Sequence, residues 1–218
     1  MWLKIIKFIA GILAIPVMAA VTRAFYGNIT GVVELSGILK YFMWGVGAYI
    51  VLHLLFYKPM YIYVLGHEAV HALTSWVMGG KINSFKVSEA GGSVSTTKTN
   101  AVIELSPYFI PIYTVILMAV YFVVAYSYKI NGAAFIFLIG FTLTLHLVMT
   151  IEVMKIRQPD LMKSGYLFSI VIVYVLNIII IAMLFSLLFP SFSSKKFFAD
   201  SFVFSKDIYT AIIRQLFF

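Results

Sequence analysis

Residues 67–71 read His-Glu-Ala-Val-His. On an α-helix, positions four apart share one face and lie ~6 Å apart along the axis. Two imidazoles in that relation can both reach one tetrahedral Zn²⁺ at ~2.0–2.1 Å. Glu68 lies ~100° around the helix from His67. It can stand beside the ion without ligating it, take a proton from an activated water and hand that proton to a leaving group. The bland alternative is a pair of histidines hydrogen-bonded inside a helix bundle. A hydrolytic zinc keeps one position open for water and so needs a third protein ligand. Cysteine is absent, which leaves His53, His146 and Asp160 as candidates near the apolar segments. His146 and Asp160 are fourteen residues apart, ~21 Å on a continuous helix, so only an interruption would bring both to one ion.

These groups stand in a very apolar chain. Of 218 residues, 62% are hydrophobic and 11% charged. A soluble domain of this length needs more polar surface than that, so the chain reads as a membrane protein. Ionisable groups inside membrane spans are costly and usually functional, and two of the four histidines fall in this one motif. The absence of cysteine excludes disulfides and thiolate metal sites. The net charge is +8, but the sixteen Lys and Arg are scattered singly. That pattern suits membrane flanks and gives no nucleic-acid patch.

A span needs ~20 apolar residues as helix. Six segments qualify: 3–21, 38–57, 59–78, 101–128, 132–157 and 163–189. The expected fold is therefore an all-α, multi-pass membrane protein. The first segment has a basic start at Lys4 and Lys7, like a signal peptide, but is long enough to be a retained first helix. Pro59 favours a helix start at the third segment. Pro107 and Pro111 should kink or start the fourth, and Gln158-Pro159 should end the fifth. Residues 79–100 carry β-favouring stretches around Glu-Ala-Gly-Gly and predict a short β-hairpin lying against the helices. Gly79 and Gly80 should end the motif helix. The tail, 190–218, ends in an amphipathic stretch expected to lie at the membrane interface. Tyr61, Tyr63, Tyr108, Tyr126 and Tyr128 read as interface-belt residues. With six crossings the Lys and Arg divide eight to each side, so charge does not orient the protein.

"GHEAVHAL", the glycine-flanked hairpin "GGKINSFKVSEAGG" and a later Pro-Asp together resemble the site-2 protease (M50) family of intramembrane zinc metalloproteases. The likeness covers about residues 59–165, and its specific element is His-Glu-x-x-His. It implies a chain in three parts: two N-terminal helices (1–58), a metalloprotease core (59–165), and a last helix with an amphipathic tail (166–218). It would be a minimal member without a PDZ domain. The resemblance implies zinc held by His67, His71 and Asp160, with Glu68 as general base. The family's usual Asp-Gly reads Asp160-Leu161 here. His146 remains as an alternative ligand or a polariser of the scissile carbonyl. An open strand edge can pair with an extended peptide, which makes Gly91, Gly92 and Ser93 of the hairpin substrate-binding candidates. The implied activity is hydrolysis of peptide bonds in transmembrane or membrane-associated proteins, in a prokaryotic cytoplasmic membrane. Two readings from other classes are an inactive membrane scaffold and a metal or proton transporter using the histidines.

Overall fold

The computed structural model describes residues 2–35, 37–127 and 132–217. They are mostly helical, with one two-stranded antiparallel sheet. Residues 128–131, where the fourth and fifth predicted segments meet and where Tyr128 falls, lie outside the described residues. The chain divides into two units, Ile38–Asp160, and Met1–Gly37 with Leu161–Phe218. This division groups 38–58 with the motif helix instead of with the first helix.

The unit Ile38–Asp160 begins with α2 (Leu39–Leu55), following α1 (Trp2–Leu35) in the chain, and α3 (Met60–Val77). It continues through β1 (Ile82–Ser88), β2 (Gly91–Thr96), α4 (Ala101–Leu105), a 3-10 turn at Ser106–Tyr108, α5 (Ile112–Ser127) and α6 (Ala133–Met154). It ends in the first turn of α7 (Pro159–Ser164). Glycines set how closely α2 and α6 approach. A Cβ on Gly45 would lie 2.0 Å from the Phe137 carbonyl oxygen, and one on Gly140 would lie 2.2 Å from that of Phe42. Small residues at a crossing let two backbones meet where lipid offers no hydrophobic drive to pack helices. Below this crossing Tyr49, Tyr63, Val64, Leu145 and Met149 form a buried cluster that joins α2, α3 and α6.

Helix α3 ends as its glycines require. Gly79 takes φ 78°, its N–H donates to the Trp76 carbonyl, and the Gly80 N–H donates to that of Ser75. This is a Schellman cap. The chain then turns into the hairpin, whose strands join through Glu89 and Ala90 with Ser88 opposite Gly91 and Val87 opposite Gly92. Both strands pack back on α3.

In the other unit, α1 runs alongside α8 (Tyr166–Leu188) in the same direction: Gly11 lies against Phe168, Thr22 bonds Tyr174, and Phe25 stacks on Phe185. Helix α9 (Ser194–Phe217) returns antiparallel along α1. Asp200 meets Asn28, Phe204 lies under Arg23, and the Tyr209 hydroxyl donates to the Leu13 carbonyl.

Among the described residues, three helices are long and apolar enough to cross a membrane, within Lys4–Val32, Ala133–Met154 and Tyr166–Leu188. The number rises to five if two bent pairs each make one span, where the sequence predicts six. The difference has named causes. At Lys58-Pro59 the axis turns by 119° between α2 and α3, helices of 17 and 18 residues. The predicted fourth helix is bent by 73° between the 3-10 turn and α5, where Pro107 and Pro111 sit. The first helix outruns its predicted end at residue 21 because its polar stretch finds partners on α9. The tail helix, expected at an interface by itself, packs along α1 for the same reason. Tyr63 and Tyr108 are buried, unlike belt residues, while Tyr61 and Tyr126 are exposed.

Candidate metal centre

The centre is built on α3, which carries His67, Glu68 and His71. Their rings are 4.9 Å apart, centroid to centroid. Asp160 reaches them from the start of α7. Helix α6 stops at Met154, the Gln158 side chain donates to the Val153 carbonyl at 2.8 Å, and Pro159 opens the next helix. Proline suits a first helical position because it has no N–H to lose there. This interruption turns the chain back toward α3. An Asp160 carboxylate oxygen lies 3.3 Å from His71 Nε2 and 3.9 Å from His67 Nε2.

One ligand atom from each of the three residues falls within 4.8 Å of the others. In a tetrahedral site with ~2.0–2.1 Å bonds, ligand atoms stand ~3.3 Å apart. Two imidazoles and one carboxylate at these separations could together hold a metal ion, and among the described residues they are the group of His, Asp and Glu side chains so placed. Burial opposes ionisation of Asp160, but the two imidazoles outweigh it and hold the carboxyl well below the usual carboxylate range.

Supporting contacts fix these side chains. His71 Nδ1 is 2.8 Å from the Ile103 carbonyl oxygen. A carbonyl only accepts, so Nδ1 carries the proton and Nε2 presents its lone pair to the centre. Ile103 is itself held: its N–H donates to the Asn100 side chain at 2.9 Å, an N-cap that starts α4. Tyr108 is fully buried, with its ring edge-on to His67 at 4.9 Å and its hydroxyl in electrostatic reach of Asp160. Sequence reasoning missed both Ile103 and Tyr108. A backbone carbonyl leaves no mark in a sequence. The signal for Tyr108 was its place between two prolines, where the chain must break from a straight span.

Glu68 is buried at 7% exposure and interacts electrostatically with His71 and Asp160. The hairpin closes over it. A Cβ on Gly92 would lie 2.5 Å from Glu68 Cγ and 2.8 Å from its Oε1. Only a glycine lets the β2 backbone come so near. Gly91 sits at the turn with φ 140°, and Ser93 pairs across the strand with Lys86. His146 is buried on α6, apart from the three clustered residues, and shares a small cavity with His67. His53 is also apart: it meets the Tyr49 hydroxyl at 3.3 Å and Glu152 at 3.8 Å. Glu152 is further paired with Lys58 and Lys155.

No family model, no curated protein and no solved structure matches the chain.

Proposed function

We propose that this protein is an intramembrane zinc metalloendopeptidase of the site-2 protease type, cutting transmembrane or membrane-associated proteins of a prokaryotic cytoplasmic membrane. The observation that carries this reading is the convergence of Asp160 from α7 on His67 and His71 of α3, with Glu68 beside them. Read from the sequence, α2 and α3 would cross separately and make six crossings with α1, the α4–α5 pair, α6 and α8.

His67 and His71 would hold the ion through Nε2, and Asp160 through a carboxylate oxygen. When bound, Zn²⁺ would supply Lewis acidity toward the scissile carbonyl and a water made nucleophilic near neutral pH. Glu68 takes the proton released as the water oxygen bonds the carbonyl carbon. It then delivers a proton to the departing amine nitrogen as the C–N bond breaks. The Ile103 carbonyl keeps the His71 ring from turning. The main chain at Gly92 borders the carboxylate, so a peptide laid along β2 would bring its own carbonyls to the base. A scaffold has no need of Glu68, and a transporter has no need of a base next to a three-ligand centre.

The test uses purified full-length protein in detergent with a panel of tagged single-span substrates. Glu68→Gln is expected to keep one zinc per chain and to lose cleavage by ~10²–10⁴-fold. The reading fails if the wild type holds no stoichiometric zinc, or if His67→Ala with His71→Ala holds as much as the wild type.

A further inference from the structure

Helix directions within the unit Ile38–Asp160 fix how its chain can cross a bilayer. Where α2 meets α6, Phe42 lies against Gly140, and Gly45 against Phe137 and Phe141. The Tyr49 ring is 5.3 Å from that of Phe141, and further along His53 Nε2 is 3.8 Å from Glu152. Residue numbers rise together on the two helices, so α2 and α6 run parallel and end at the same face. Helix α5 runs the other way. Thr114 meets Thr142 at 3.1 Å, and the Tyr121 ring is 5.5 Å from that of Phe135.

A continuous chain crosses a bilayer in alternating directions. If α2, α3 and the α4–α5 pair each crossed, α5 would run with α2, and α6 against it. The directions in the structure are the reverse. They are met when α2, the α4–α5 pair and α6 cross and α3 does not. With 17 residues α2 is ~25 Å long, close to the ~30 Å of a hydrocarbon core.

The path between α2 and α5 agrees with this count. Helix α3 starts level with the last turns of α6, where Lys58 Nζ is 3.5 Å from Glu152 and the Tyr63 hydroxyl is 3.3 Å from that of Thr150. The hairpin turn returns to the joint between α2 and α3, with Glu89 Oε1 3.5 Å from the Tyr57 hydroxyl. The start of α5 lies on the first turns of α3. The Tyr113 hydroxyl donates to the Ile62 carbonyl at 2.6 Å, and its ring faces Gly66.

We infer that α3, the hairpin and α4 form a re-entrant element, entered from the face where α2 and α6 end, and that water and substrate reach the metal centre from that face. The crossings then number five: α1, α2, the α4–α5 pair, α6 and α8. Non-helical backbone at membrane depth is tolerated where protein covers it or water fills the space. The hairpin pairs its own strands and packs on α3. His67 and His71 stand 7 and 11 residues after Met60. On a helix turned 119° from α2, that places them ~5–8 Å from the joint along the α2 axis, short of the midplane of a ~30 Å core. The peptide bonds within reach are those close to one end of a substrate's span. This last step rests on the protease reading proposed above; the path of α3 does not.

The chain has no cysteine, so single cysteines can be placed in the full-length protein. They are labelled in sealed, uniformly oriented membrane vesicles with a maleimide that does not cross lipid. Lys58→Cys at the α2–α3 joint, Ala90→Cys at the hairpin turn and Arg157→Cys after α6 are expected to react from one side. Lys40→Cys at the start of α2 is expected to react from the other. Phe56→Cys repeats the joint position and leaves the Lys58–Glu152 pair in place. Separate crossings of α2 and α3 give another pattern, with position 58 on one side and positions 40, 90 and 157 together on the other. That pattern overturns the inference, and so does Ala90→Cys reacting from the side of Lys40→Cys. None of these readouts needs a bound metal. Absence of zinc from the wild type would sink the protease reading, whereas positions 58 and 157 on opposite sides would sink this one.

Discussion

Two regions of this molecule bury polar side chains, and they use them differently. In the unit formed by α1, α8 and α9, buried Asn28, Ser169 and Ser201 close local or pairwise hydrogen bonds. Asn28 donates to Ala24 and Asp200, Ser169 to Leu161, and Ser201 to Phe197. Around α3 the groups instead face one another. Two imidazoles and a carboxylate present acceptor atoms to a common point, an arrangement that repels itself unless a proton or a cation sits there. Polarity in an apolar setting is thus not by itself a sign of chemistry. What marks chemistry is convergence of lone pairs without enough donors between them.

The largest effect expected from this comparison sets two aspartates against each other. Asp160→Ala removes one of three converging ligands and should abolish stoichiometric zinc binding. Asp200→Ala removes one end of a helix-pairing bond and should leave zinc content at the wild-type value. Metal analysis of both purified variants decides it. Equal zinc in the two would erase the distinction between the regions.

A smaller effect is expected at Gly92. An alanine there drives a methyl into the Glu68 side chain, so strand or carboxylate must move. A displacement of ~1 Å at a reacting group costs on the order of 10² in rate. Gly92→Ala should therefore lower kcat about a hundredfold with zinc affinity unchanged, read from cleavage kinetics and metal titration together. A matching loss of zinc would mean that the hairpin supports the ligands and not the base.

The motif helix, its glycine cap, the hairpin and the proline breaks could all be read in the sequence because each depends on residues close in the chain. Gly79-Gly80 caps α3 whatever packs around it, and Glu-Ala-Gly-Gly turns the hairpin by local chemistry. Tyr108 and the length of α1 could not be read that way. Tyr108 is drawn inward because the 3-10 turn carries its ring onto His67. Helix α1 continues past residue 21 because Asn28 meets Asp200, 172 residues later, and Arg23 meets Phe204. The choice among Asp160, His146 and His53 also needed three dimensions, since the break between Met154 and Pro159 decides where Asp160 points.

Within the α1 unit the effects should be confined to stability. Asn28→Ala removes bonds to the Ala24 carbonyl and to Asp200. Leaving a half-buried carboxylate short of a donor should cost about 1–2 kcal/mol. Unfolding in mixed micelles reads this, and zinc content should not change. A loss of zinc in this variant would mean that the fold of this unit is needed to hold the metal site.

The smallest effect separates hydrogen bonding from packing on the same helix. Tyr174→Phe keeps the ring between α8 and α1 and removes only the hydroxyl that meets Thr22 at 2.9 Å. Thr22 keeps its bond to the Met18 carbonyl at 2.7 Å, so nothing is orphaned. Interhelical bonds of this kind are worth ~0.6 kcal/mol in membrane proteins because the unfolded helices also find partners in the bilayer. The variant should lose about that much in the same unfolding assay. A cost near that of Asn28→Ala would mean that the Thr22–Tyr174 bond orders α8 on α1, and that this unit, too, contains a polar contact on which its neighbours depend.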